Sequence, residues 1–145
     1  MTHHPALPAA ELTTAELAAA LAAALAEVGG PGTGFGHRQH VHLAFIAARR
    51  YGPDRAPEVL CDWIGQLARQ SGRPTKYHAT MTIAWARVVA HHVAADPSAG
   101  EFGAFADRHP ALLDKGLLGR HYTASALRSD AARAGWVPPD LAALP

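Results

Sequence analysis

Apolar residues recur every three or four positions along most of the chain, which is the spacing of one face of an α-helix. The stretch 76–95 is the longest and most apolar of these, so it is predicted to be the central helix. The pattern predicts six to seven helices, between Thr13 and Gly29 and over about 37–51, 57–70, 76–95, 99–108, 110–118 and 123–134.

Capping and turn residues mark the ends of these helices. Thr13 and Glu16 have capping-box spacing, and Gly52-Pro53 and residues 71–74 stop the second and third helices. Since no useful length of alternating apolar and polar residues suggests a strand, the predicted fold class is all-α, a single-domain irregular helical bundle. Residues 136–139 are expected to be extended and packed on it.

The chain divides into two parts of different composition. Residues 1–34 hold a tail over 1–11 that is expected to be disordered, an Ala-rich helix and a Gly/Pro loop. Residues 35–145 form the predicted histidine-motif domain. The leucine stripe of the Ala-rich helix could serve dimer contacts, so a homo-oligomer is possible.

Charge and cysteine content exclude several classes of function. The net charge is +1, from thirteen Lys and Arg and twelve Asp and Glu, so neither nucleic acid nor an anionic membrane is an expected partner. The single cysteine, Cys61, excludes an internal disulfide and a Cys-based zinc site, and is expected in the core. No twenty-residue apolar run and no signal-peptide pattern is present, which predicts a cytoplasmic protein. The expected partner is a small-molecule substrate.

Two short histidine-bearing motifs carry the functional signal, over residues 35–42 and 76–82. Imidazole is the commonest metal ligand and exchanges protons near neutral pH. His37 and His40 are three apart and therefore share one helix face. That face continues the apolar stripe of the helix, so both rings are predicted to point inward, whereas His42 is placed at the edge of the bundle.

The second motif adds a third inward histidine. His78 lies on the predicted buried face of the central helix, which continues through Thr82. If helices two, three and four run up, down and up, the starts of helices two and four meet, and His37, His40 and His78 could converge there. Three neutral histidines with an open fourth position suit a catalytic zinc, iron or copper ion.

Several neighbours are predicted to assist this site or to lie at its periphery. Near the centre, Tyr77 and Thr82 are the candidate catalytic residues, and Thr80 could orient a ligand. A loop with His121 and Tyr122 could cover the open end of the bundle. A basic rim suited to an anionic substrate is one interpretation of three further residues, and a solvated surface is the other: Arg73, Lys76 and Arg120.

The two motifs, Phe35-x-His37-x-x-His40 and Tyr77-His78-x-Thr80-x-Thr82, resemble those of a family of small, largely uncharacterised bacterial helical proteins. The likeness extends over about residues 35–145 and includes residues 112–115, 122–123, 129–133 and 139–145. It implies a helical fold and a histidine-lined site, without an established reaction. A glutamate often follows the second histidine in that family, whereas this chain has Ala79, so the resemblance implies a site that is more purely imidazole here.

Three hypotheses follow from the sequence. The first is a metal-dependent enzyme in which His37, His40 and His78 bind the ion and perform oxygen-linked or Lewis-acid chemistry. The second is a metal-free isomerase, cyclase or dehydratase that uses His78 and Tyr77 as acid and base. The third is a binding or interaction module whose histidines satisfy one another in a polar core.

Overall fold

The structure is a computed structural model that describes residues 12–29, 35–73 and 77–145. Within these ranges the chain forms seven α-helices, two 3₁₀-helices and no strand, so the predicted all-α fold class is confirmed. None of the helices described is long and apolar enough to cross a membrane. The α-helices are α1 (Thr14–Val28), α2 (His37–Tyr51), α3 (Ala56–Gln70), α4 (Ala79–Ala95), α5 (Phe102–Arg108), α6 (Ala124–Arg128) and α7 (Asp130–Ala134).

The core lies between α2, α3 and α4, which all pack against one another. The central helix is α4, because it also contacts α7 and one of the 3₁₀-helices. Its side chains Trp85, Val88 and Val89 are buried, as the continuous apolar pattern of this stretch predicts.

The Ala-rich helix α1 packs on α2 and α3. The capping box is formed, because the Thr13 hydroxyl accepts from the Glu16 amide at 3.1 Å and the Glu16 carboxylate accepts from the Thr13 amide at 2.9 Å. Leu21 is buried in the common core, and the Trp63 indole N–H donates to the Leu17 carbonyl at 3.2 Å. The predicted tail over 1–11 and the loop over 31–34 lie outside the described residues, and dimer contacts through α1 stay a prediction.

The helices of the C-terminal third are more broken than the sequence pattern predicts. The stretch 110–118 forms two 3₁₀-helices, Pro110–Leu113 and Lys115–Arg120, separated by Asp114, whose carboxylate accepts from the Gly116 amide at 2.9 Å. The stretch 123–134 divides into α6 and α7 at Ser129, whose hydroxyl accepts from the Ala132 amide at 3.1 Å. In both cases a short polar side chain competes with the backbone for a hydrogen bond and starts a new turn.

Residues 136–145 form no regular structure and lie against the bundle, in line with the extended and packed segment predicted over 136–139. The Leu141 amide donates to the His121 carbonyl at 3.0 Å. The Trp136 ring lies under the Arg87 guanidinium, 4.3 Å from its carbon to the ring centre. The segment is therefore fixed to α4 and to the turn that precedes α6.

Candidate functional site

The starts of α2 and α4 and the end of α3 meet at one end of the bundle, where an up-down-up arrangement was predicted to bring them. They enclose a cavity of about 630 Å³, which we call the His40 pocket. Its size and mainly apolar lining are typical of a small-molecule site. It is lined by Phe35, His40, Ile64, Leu67, Ala68, Ser71, Arg73, Tyr77, His78, Met81 and Thr82.

Of the three predicted metal ligands, His40 is the one whose ring is available to a molecule in the pocket. Its ring is largely buried and has no hydrogen bond to any described residue. The centres of the His40 and Phe35 rings lie 6.4 Å apart in an edge-on arrangement. Burial, and to a smaller extent repulsion from His37, lowers the pKa of His40 to about 4. The ring is therefore neutral at pH 7 and offers one N–H donor and one free acceptor nitrogen to the pocket.

His78 stands at the start of the central helix, as predicted, but it caps this helix instead of lying within it. The helix begins at Ala79, and His78 is its N-cap, because its Nδ1 accepts from the Met81 amide at 3.1 Å. Its Nε2–H donates to the Leu127 carbonyl at 2.6 Å, since a carbonyl oxygen can only accept. Both ring nitrogens are thus used to start α4 and to attach it to α6. Lys76, where this helix was predicted to begin, lies outside the described residues.

His37 also makes a structural hydrogen bond. Its Nε2–H donates to the Leu112 carbonyl at 2.9 Å, and its ring meets Trp85 edge-on with the centres 4.5 Å apart. This bond attaches the first turn of α2 to the 3₁₀-helix at Pro110–Leu113. Of the three histidines predicted to bind metal, His40 alone keeps both ring nitrogens free of hydrogen bonds to the described chain.

The donor set does not fit a three-histidine metal centre. Among the described residues no group of three or more His, Cys, Asp or Glu side chains is placed to hold a metal ion. His78 would have to release either the Met81 amide or the Leu127 carbonyl before one of its nitrogens could coordinate. A zinc, iron or copper ion therefore stays a prediction.

The predicted catalytic residues Tyr77 and Thr82 both line the His40 pocket. Burial and a hydrogen bond to the Cys61 thiol raise the pKa of Tyr77 above its ordinary range, so its hydroxyl stays protonated. The pKa of Cys61 is raised by burial, against the opposing effect of Tyr77. The Thr82 hydroxyl donates to the His78 carbonyl at 2.8 Å, which commits its proton to the first turn of α4.

Thr80 and Tyr122 are buried and do not line the pocket. The Thr80 hydroxyl donates to the Gly135 carbonyl at 2.6 Å and accepts from the Val137 amide at 3.0 Å. The Tyr122 hydroxyl donates to the Val137 carbonyl at 2.7 Å. Both side chains thus hold the C-terminal segment on the bundle.

His121 and His42 also lie away from the pocket. The His121 Nδ1–H donates to the Ala142 carbonyl at 2.9 Å. The His42 ring stacks on Phe102 at 4.2 Å between centres and lines a different cavity, at the edge of the bundle where it was predicted.

The apolar wall of the pocket was not identified as part of the site from the sequence. Met81, Ile64 and Leu67 belong to the ordinary apolar stripes of α3 and α4, and nothing in their spacing separates a cavity wall from a packed core. Of the three residues suggested as a basic rim, Arg73 lines the pocket, Arg120 does not, and Lys76 lies outside the described residues.

Comparison with known proteins does not assign the chain to a family. No protein-family model matches the chain, and no curated protein and no solved structure matches it significantly. The resemblance carried by the two histidine motifs therefore stays a prediction, and the site has to be interpreted from its own geometry.

Proposed function

We propose that the His40 pocket binds a small organic molecule and that the protein is a metal-free enzyme that moves a proton on it. The observation that carries this proposal is His40, a neutral histidine with unused ring nitrogens in a mainly apolar cavity. The unpaired ring nitrogens remain accessible, since among the described residues the buried side-chain nitrogen or oxygen without a partner is Arg55 Nε, and a molecule in the pocket could therefore hydrogen-bond to His40.

In this proposal His40 replaces His78 as the proton acceptor. His78 cannot accept a proton on Nδ1 without losing the hydrogen bond from the Met81 amide that caps α4. His40 has the neutral form that a general base requires, and its low pKa makes it a weak base until a ligand approaches. A partial negative charge developing on a ligand next to the ring would strengthen it.

Tyr77 provides the complementary group. Tyr77 lines the same cavity, and its protonated hydroxyl, which is bonded to the Cys61 thiol, would have to turn from that thiol to donate a hydrogen bond to a substrate oxygen. A proton would pass from substrate carbon to His40 while Tyr77 stabilises the oxygen that gains electron density. Isomerisation, cyclisation and dehydration all contain such a step.

The test uses solvent deuterium as a label. Small carbonyl compounds are incubated with the protein in D₂O, and mass spectrometry measures the deuterium that they take up at carbon. We expect uptake in the wild type, at least a hundredfold slower uptake in His40→Gln, and wild-type uptake in His91→Gln, which changes an exposed histidine of α4 outside this pocket. Equal rates in wild type and His40→Gln would overturn the role of His40. Binding without any uptake would instead support a non-catalytic binding module.

One observation favours the metal enzyme as a second candidate. His37 and His40 lie one turn apart on the same face of α2, so the two rings could share an ion if His37 released the Leu112 carbonyl. Metal analysis of protein purified without a His-tag tests it. One ion per chain that is lost in His40→Ala would support a metal centre, and a metal content that His40→Ala leaves unchanged would contradict it.

A further inference from the structure

The His40 pocket carries a positive charge without an acidic neighbour among the described residues. Of the described lining residues, Arg73 alone has a permanent charge and none is acidic. Two other cavities in the described part of the chain differ, since the one lined by Arg87 includes Asp54 and Glu58 and the one lined by Arg38 includes two glutamates. A carboxylate would therefore repel an anion in both of those cavities, whereas no described lining residue would do so in the His40 pocket.

Arg73 is also free to bind. Its backbone is fixed after α3, because its amide donates to the Ala68 carbonyl at 2.9 Å. Its side chain is exposed and has no ion pair or ring contact with a described residue, whereas the arginines of the other two cavities lie over Trp136 and Phe102. A guanidinium with five unused donors suits a carboxylate or another oxyanion.

The rest of the wall suits an apolar body. Phe35 at the pocket leaves 46% of its surface exposed, although large apolar side chains are seldom left so open in this protein. Ile64, Leu67 and Met81 extend the apolar surface inward. The N-termini of α2 and α4 add partial positive charge at this end of the bundle, and of these three helices only α3 adds partial negative charge there, through its C-terminus.

From this juxtaposition we infer that the ligand of the His40 pocket is an amphipathic anion, with an apolar body against Phe35 and Met81 and an oxyanion at Arg73. The inference rests on the proposed small-molecule site and adds the chemical class of its ligand. A cationic molecule of the same shape would place its charge against Arg73 and should be rejected.

The experiment compares three probes with the same benzyl body and different charge. They are phenylmethanesulfonate, an anion at all working pH values, neutral phenylmethanesulfonamide and cationic benzylammonium. The readout is the methyl signal of Met81 in protein labelled at methionine, because the chain has 2 methionines and Met81 lines the pocket. We expect the sulfonate to bind about fivefold to tenfold more tightly than the sulfonamide, and benzylammonium to bind most weakly.

Two variants locate the charge effect. Arg73→Gln should remove the preference for the sulfonate over the sulfonamide and leave the sulfonamide affinity unchanged. Arg69→Gln changes an exposed arginine near the end of α3 that does not line the pocket, and should keep the preference. Equal binding of all three probes, or a preference that survives Arg73→Gln, would overturn the anion inference and leave the small-molecule site standing. No shift of the Met81 signal with any probe would overturn the site itself.

Discussion

Acid should destabilise this protein through His40 far more than an ordinary surface histidine would. The pKa of His40 is 6.5 in its ordinary state and about 4 in the folded protein, first because the ring is buried and second because His37 repels its charge. Between these two values the unfolded chain binds more protons than the folded one, so the free energy of unfolding falls as the pH falls. The loss begins below about pH 6.5 and is complete near pH 4.

The size of this effect follows from the two pKa values. The contribution of His40 is close to zero at about pH 7.5 and reaches a loss of about 2.5 kcal/mol at about pH 4.5. Total stabilities of small domains are about 5–15 kcal/mol, so this one ring could remove a large share. Protonation of Asp96 destabilises the fold only at lower pH, because hydrogen bonds from Arg108 and His109 lower its pKa to about 2.

Urea unfolding of wild type and His40→Leu across this pH range measures the effect. Leucine is apolar, similar in length and cannot titrate, so the variant should become more stable relative to wild type by about 2.5 kcal/mol on going from about pH 7.5 to about pH 4.5. Between about pH 7.5 and 9 the difference should stay constant, since His40 does not titrate there. A constant difference over the whole range, or a His40 ring signal in NMR that titrates near its ordinary value, would refute the burial argument.

Two stability predictions follow from the hydrogen bonds of the second motif. His78→Ala should lower the free energy of unfolding by about 2 kcal/mol, because it removes a helix cap and the bond to Leu127, whereas His78→Asn should keep the cap and lose only about half as much. Urea unfolding distinguishes them, and equal losses in both variants would contradict the capping role. Thr80→Val should cost about 2 kcal/mol and speed hydrogen exchange of the Val137 amide, which it leaves without an acceptor. Thr80→Ser is the control, and unchanged exchange in Thr80→Val would show that the hydroxyl does not hold the segment.

Periodicity was sufficient to predict the long helices. The prediction of residues 37–51 coincides with α2, because the apolar stripe stops at Gly52, whose φ of +83° suits glycine. The meeting of α2 and α4 at one end also follows from sequence, since short links between long helices leave few arrangements. The prediction is poorer where a single hydroxyl or carboxylate, as at Ser129 and Asp114, ends one turn and starts another.

The pocket itself could be predicted only in part. That histidines would line it follows from their spacing, but its apolar wall depends on how far apart α3 and α4 are held at one end, which no local pattern encodes. The same limit applies to Cys61, expected in the core and found half-buried against the Tyr77 hydroxyl.

The roles of the three histidines were decided by carbonyl groups far away in the chain. His37 donates to Leu112, 75 residues later, and His78 to Leu127, 49 residues later. In each case the carbonyl converts a potential ligand into a support for the first turn of a helix, and both carbonyls belong to the C-terminal third. His40 faces the pocket instead of that segment and keeps its nitrogens free. The C-terminal third therefore fixes the two helix starts that border the pocket and leaves the His40 imidazole available inside it. Substitutions that displace the backbone carbonyl of Leu112 or Leu127 should alter the pocket although neither residue lines it.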